Sequence, residues 1–295
     1  MEVIEAKRVS QRFTAAAQTY DQHAAAQQRI CVHLLAMLKR KHPLCFPRVL
    51  EIGCGSGGFT RLLQAEGVVG EWCLNDLCES WSPELTKRMA GERWQWLAGD
   101  AEQMAFPGSF DLIASANALQ WMKELPAFLH RLSSALAPQG LLLFNLFTPD
   151  NLLEVKAISG QGLNYPTPEE VQSWLAKDYR IWQMEEERIV LTFSDPMEVL
   201  RHLKYTGVTA NATGVWTKAS RPISARPIES GSPPRMGKSR SPTHPFISWP
   251  VNHKINQIQS WKKEKYYLSP ASTPAWVRPR PPEPSPRHWR KQESK

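Results

Sequence analysis

The chain has 295 residues, 42% of them apolar, five cysteines and a formal net charge of +8, enough apolar material for one large α/β domain or two small ones. No stretch approaches the roughly 20 uninterrupted apolar residues of a spanning helix, and the N-terminal Glu2, Glu5, Lys7 and Arg8 do not form a basic, apolar leader. A cytoplasmic, monomeric protein with no membrane partner is expected.

The charge is unevenly placed. Residues 219–295 hold 15 of the 36 Lys and Arg but 4 of the 28 Asp and Glu, a net +11 that leaves −3 for residues 1–218. Basicity therefore belongs to the tail, whose aromatics and charges lack motif spacing, and no nucleic-acid partner is expected. Cys31, Cys45, Cys54, Cys73 and Cys78 are odd in number and lack C-x2-C spacing, so reduced thiols are expected rather than a disulfide frame or a bound metal.

In chain order, Ala25, Ala26, Ile30, Leu34, Leu35 and Leu38 recur at helical spacing over 22–40, and Pro43 and Pro47 end the helix. Strands are expected at Arg48–Ile52, Gly70–Asn75, Trp94–Ala98, Phe110–Ser115 and Leu141–Phe147, with helices at 58–65, 83–90, 122–136 and 168–176 between or after them. Arg180–Phe193 reads as two adjoining strand-like runs and Pro196–Tyr205 as a helix. The alternation implies a mostly parallel sheet with right-handed crossovers and helices on both faces, a Rossmann-like α/β fold. Beyond Lys218 come 14 of the 24 prolines and no sustained apolar period, which predicts disorder over most of 219–295. The chain thus divides into an N-terminal helical segment (1–47), an α/β domain (48–218) and a basic tail (219–295).

The most informative segment is Val49-Leu50-Glu51-Ile52-Gly53-Cys54-Gly55-Ser56-Gly57-Gly58. An apolar strand ends in an acid and runs into glycines, so the chain turns tightly and a ligand can approach the backbone. Gly53, Gly55 and Gly58 also satisfy G-x-G-x-x-G, and that spacing alone does not separate NAD from S-adenosylmethionine. Glu51 puts negative charge beside the turn, which suits an ammonium and a sulfonium better than a pyrophosphate. Asp76 follows the second strand, about twenty residues on, where a carboxylate can accept from both ribose hydroxyls. Asp100 follows the third, where it can accept from an adenine amino group. Each acid alone could be a helix cap or loop residue; three at successive strand ends point to a bound nucleoside.

On these residues, and on Phe110-Asp111-Leu112-Ile113, the sequence resembles the class I methyltransferases over 48–147. The resemblance implies S-adenosylmethionine as cofactor, bound with the help of Gly55 and Gly57, with Glu51 and Gly53 near its methionine end, Asp76 on the ribose, Asp100 and the Ala101 amide on the adenine, and Asn117 beside the amino acid moiety. The stretch after the fourth strand, Ser115-Ala116-Asn117-Ala118-Leu119-Gln120-Trp121, lacks the N/D-P-P-Y/F pattern, which disfavours DNA adenine and protein glutamine as acceptors.

A wider resemblance runs through Arg12-Phe13, Thr19-Tyr20-Asp21-Gln22-His23-Ala24, Asn117-Ala118, Gln120-Trp121, Gly162-Leu163-Asn164-Tyr165, Phe193-Ser194-Asp195 and Leu203-Lys204. These stretches are similar to the malonyl-[acyl-carrier-protein] O-methyltransferases of biotin synthesis over nearly all of 7–214. That family implies methylation of a free malonyl carboxylate carried on acyl-carrier protein, with Tyr20 in a lid over the cofactor and Gln120 and Trp121 at the acyl mouth. No acid or base is assigned, because the carboxylate is already ionised at neutral pH. Arg12, Arg61, Lys156 and Lys204 are unranked candidates to hold it. Alternatives are a small-molecule or quinone-type methyltransferase, or an inactive cofactor-binding relative. The last prospect arises because relatives continue into a final strand where this chain passes from Val215-Trp216-Thr217-Lys218 into its Pro-rich tail, as an altered C-terminus would. Only Thr243-His244-Pro245-Phe246-Ile247 faintly echoes that strand, and a sheet edge left uncovered is expected.

Overall fold

The computed structural model describes residues 6–153, 155–156, 163–207 and the strand 247–260. Helices α1 (Ala6–Ala16), α2 (Tyr20–His23) and α3 (Ala25–Lys41) precede the alternating core of β1 (Cys45–Ile52), α4 (Gly58–Glu66), β2 (Val68–Asp76), α5 (Ser82–Arg88), β3 (Trp94–Ala98), β4 (Phe110–Ser115), α6 (Leu125–Ala135) and β5 (Leu136–Phe147). A helix at Pro168–Leu175, strand β6 (Tyr179–Phe193), a helix at Pro196–Tyr205 and strand β7 (Ile247–Ser260) follow. The strands form one sheet in the order β3-β2-β1-β4-β5-β7-β6, parallel through β5 and antiparallel where β7 meets β5 and β6.

The central strands are apolar without alternation because both faces are covered. Val49, Leu112, Leu141 and Leu143 pack with Leu34 of α3, Leu63 of α4 and Leu85 of α5. Their neighbours Leu50, Ile113, Leu142 and Phe144 point the other way, into a cluster with Phe128 and Leu132 of α6 and Val171 and Leu175. The chain leaves β1 toward β2 and β3 on one side and β4 and β5 on the other, so the carboxyl ends of β1 and β4 diverge and open a crevice, where such sheets bind ligands.

Two expectations are corrected. Arg180–Phe193 is not two runs but part of one 15-residue strand, whose register shifts between Ile181 and Gln183. The uncovered edge and missing last strand are likewise overturned for Ile247–Ser260, which lies between β5 and β6. The prolines of the tail hid the alternation of Ile247, Trp249 and Val251; Pro250 pairs with Val190 of β6 and lies outside the His253–Gln259 segment that pairs with β5. The rest of the expected disordered tail, 219–246 and 261–295, lies outside the described residues, as do residues 208–218 of the expected α/β domain. The described residues all belong to one compact unit, Met1–Lys262, and among them no helix is long and apolar enough to cross a membrane.

Candidate active site

A cavity of about 870 Å³ lies at the carboxyl ends of β1 to β4, and Tyr20, Glu51, Gly53, Gly55, Asp76, Asp100, Ala101, Asn117 and Trp121 all line it. That volume is within the range of small-molecule and cofactor sites. Gly57 and Gln120 do not line it. Gly57 is instead the left-handed cap of α4 at φ 77°, where a Cβ would lie 2.7 Å from Arg88 Nη1 and 2.9 Å from Leu85 Cδ2. Its glycine requirement is chiefly that backbone conformation, since the two atoms a Cβ would meet are the ends of flexible side chains. Gln120 uses Nε2 to donate to Asn117 O at 2.7 Å, so it shapes the loop behind the wall.

Glu51, at the end of β1, is 1% exposed and accepts from Thr60 Oγ1 at 2.6 Å. Burial pushes its carboxyl up to about 8, against the opposing hydrogen bond from Thr60. A buried acid this costly to ionise is stabilised by a cation placed beside it. The turn that follows must be glycine at Gly53, where φ is 66° and a Cβ would collide with that of Ala118. At Gly55, also at positive φ, a Cβ would meet nothing within 4 Å, so the backbone there faces open cavity.

Asp76, at the end of β2, is buried and spends one lone pair of each oxygen on the backbone: Oδ2 accepts Gly55 N–H at 2.8 Å and Oδ1 accepts Cys78 N–H at 2.8 Å. It therefore fixes the glycine turn, and its remaining lone pairs can take two hydroxyl protons. Burial raises its carboxyl from the ordinary value, and these backbone bonds oppose the rise. Asp100 makes a shorter turn, with Oδ1 accepting from Glu102 N at 2.9 Å, while Ala101 is tied through its carbonyl to Arg131 Nη2 at 2.8 Å. The Glu102 carboxylate in turn accepts from Lys123 N at 2.8 Å and Glu124 N at 2.7 Å. The loops after β3 and β4 are thereby joined.

The N-terminal helices cover this crevice. Ser56 Oγ donates to Asp21 Oδ1 at 2.6 Å, tying α2 to the glycine turn. Tyr20 packs edge-on to Trp81 at 6.0 Å, and Phe13 edge-on to Trp121 at 5.5 Å. Burial, with Cys31, Asp21 and Asp76 nearby, raises the Tyr20 phenol from its ordinary value, so it is neutral at physiological pH. Of the basic candidates, Arg61 lines the cavity, whereas Arg12, Lys156 and Lys204 do not. Sequence reasoning missed Thr60, Glu102 and Asn145; only Asn145, a lone amide in Leu-Leu-Leu-Phe-Asn-Leu-Phe, carries a visible signal.

The donor set fits a cationic nucleoside: a buried acid at the glycine turn, an acid with free lone pairs on β2, a third after β3 and an apolar, aromatic mouth. Together with the strand order, it defines a class I S-adenosylmethionine-dependent methyltransferase. A family described as "Methyltransferase domain" matches residues 49–140. The fold is shared with a putative methyltransferase from Bacillus halodurans, at 14% identity and a TM-score of 0.55 over 78% of this chain and 97% of that one. Malonyl-[acyl-carrier protein] O-methyltransferase from Haemophilus influenzae is 41% identical over 216 residues, 73% of this chain and 82% of that protein. The enzyme of the same name from Porphyromonas gingivalis is 40% identical over 218 residues, 73% and 84% of the two chains. The chain belongs to the malonyl-[acyl-carrier protein] O-methyltransferase family.

Proposed function

We propose that this protein transfers a methyl group from S-adenosylmethionine to the free carboxylate of a malonyl group on acyl-carrier protein, the esterification that the sequence resemblance assigns to biotin synthesis. The observation that carries this reading is the 41% identity to a protein of that name over 216 residues and 82% of its length, a span well beyond the cofactor segment. When bound, S-adenosylmethionine supplies a methyl group on a sulfonium that becomes a neutral thioether on transfer.

The chain's own residues divide the remaining work. Glu51 holds the cationic methionine end, and Gly53 and Gly55 let the backbone approach it. Asp76 takes the ribose hydroxyls, while Asp100 and the Ala101 amide take the adenine. Tyr20 closes the lid over the cofactor. Trp121, buttressed by Phe13, lines the acceptor side. A malonate oxygen is ionised at neutral pH and needs no base, so alignment and exclusion of water are the contributions left to the protein. Opposite charges are neutralised as the new O–C bond forms and the C–S bond breaks, and a weakly polar aromatic mouth favours that change over the hydrated reactants.

The test is competition among acceptors. With labelled S-adenosylmethionine, malonyl-carrier protein should be methylated faster than malonyl-CoA, because contacts with the carrier add binding energy remote from the carboxylate. Acetyl-carrier protein, lacking the carboxylate, should stay unlabelled. Preferential labelling of a quinone precursor would replace the proposal with a small-molecule assignment.

A further inference from the structure

We infer that Asn145 is a positioning residue for the cofactor end of the site, acting through the backbone of Asn117. Asn145 stands near the carboxyl end of β5, is 0% exposed and interrupts the apolar run Leu141–Phe147. A buried carboxamide is unfavourable unless its polar atoms are satisfied. Here both go to the same residue: Oδ1 accepts Asn117 N–H at 2.8 Å, and Nδ2 donates to Asn117 Oδ1 at 3.4 Å.

Asn117 needs that support. Its φ is 61°, in the left-handed region that residues with a Cβ enter at a cost and that glycine enters freely. Its carbonyl accepts from Gln120 Nε2 at 2.7 Å, and its Nδ2 donates to Gln27 O of α3 at 3.3 Å. A chain of bonds thus runs from β5 through Asn117 to the helix that covers the crevice. The next residue, Ala118, is the one that a Cβ on Gly53 would strike, so rotation at Asn117 would shift the wall facing the glycine turn. Asn145 itself does not line the cavity; its effect on the cofactor must pass through Asn117.

This inference rests on the placing of Asn117 at the methionine end, and not on the identity of the acceptor. Its test is a double-mutant cycle on the full chain, read by calorimetric binding of S-adenosylhomocysteine and by denaturation of the cofactor-free protein. Asn145→Ala should weaken binding about tenfold or more, the loss expected for an unmade buried hydrogen bond that shifts a site. Asn117→Gly, which adopts the same φ unaided, should lose less. In the Asn117→Gly background, Asn145→Ala should weaken binding by no more than about twofold further.

If Asn145→Ala weakens binding equally in both backgrounds, Asn145 supports the core alone and the inference is overturned; unchanged affinity in a folded Asn145→Ala chain overturns it too. Should Asn145→Ala not fold, the cycle is run with Asn145→Ser, whose hydroxyl keeps part of the buried site satisfied. Failure of both to fold would assign Asn145 to the core rather than to the site. Unchanged affinity in Asn117→Gly as well as in the Asn145 variants would remove Asn117 itself from the methionine end.

Discussion

Replacing Asp76 by asparagine keeps the side chain's size and removes one acceptor from a pair already in use. Its two oxygens hold the Gly55 and Cys78 amides, each at 2.8 Å. In the variant one amide meets an NH2 group, so a charge-assisted hydrogen bond worth about 1.5–3 kcal/mol is lost. In the cofactor-free chain part of that loss is offset, because burial already disfavours the ionised form and raises its pKa, and asparagine carries no charge to bury. With cofactor bound no such offset remains on the proposed reading, which assigns Asp76 to the ribose and so impairs that acceptor and the placement of Gly55 together. S-adenosylhomocysteine affinity should therefore fall about ten- to a hundredfold, while chemical denaturation shows a smaller loss of stability. Asp100→Ala separates binding from scaffolding further, because among the described residues the Asp100 side chain holds the Glu102 amide alone; its stability should barely change while affinity falls by about 1–3 kcal/mol. Unchanged affinity in both folded variants, or an Asp76→Asn affinity loss no larger than its stability loss, would refute the assignment of these acids to the nucleoside.

Three other outcomes are expected. Because Glu51 is held at about 8 against an ordinary 4.5, the folded chain binds more protons than the unfolded one between those values, so its contribution to stability is full below 4.5 and lost as pH rises through 8. A cationic ligand needs the ionised form, so cofactor affinity should rise by up to about tenfold per pH unit on approaching 8 from below, and Glu51→Gln should flatten that slope in calorimetry. Trp121→Ala should lower turnover on the acyl acceptor more than it weakens S-adenosylhomocysteine binding, a separation that steady-state kinetics and calorimetry would reveal. A chain ending at Lys218 should denature at a lower temperature than one ending at Lys262, because it lacks the strand that pairs with both β5 and β6; equal melting would place β7 outside the folded sheet.

Much of the site was legible because its chemistry is local in sequence. Glu51, Gly53, Asp76 and Asp100 each close a strand, and a parallel sheet gathers its strand ends into one crevice. What was missed is non-local. Asn145 is partnered across 28 residues with Asn117, and no period or motif relates the two. Gly57 was grouped with the ligand turn, yet the demand on it is the left-handed φ of 77° at the cap of α4, which composition alone does not separate from a ligand contact. Strand β7 was missed for a compositional reason, since proline-rich flanks outweighed a short alternation that becomes meaningful only between two waiting strand edges.

The central claim is most directly tested by the mass of the product. The full chain would be incubated with S-adenosylmethionine and malonyl-carrier protein, and the intact carrier analysed by mass spectrometry with fragmentation of its prosthetic arm. A single added methyl group located on the terminal malonyl carboxylate, absent when the arm carries acetyl, is the expected result. A folded chain that binds S-adenosylhomocysteine yet leaves the malonyl group unmodified would contradict the assignment.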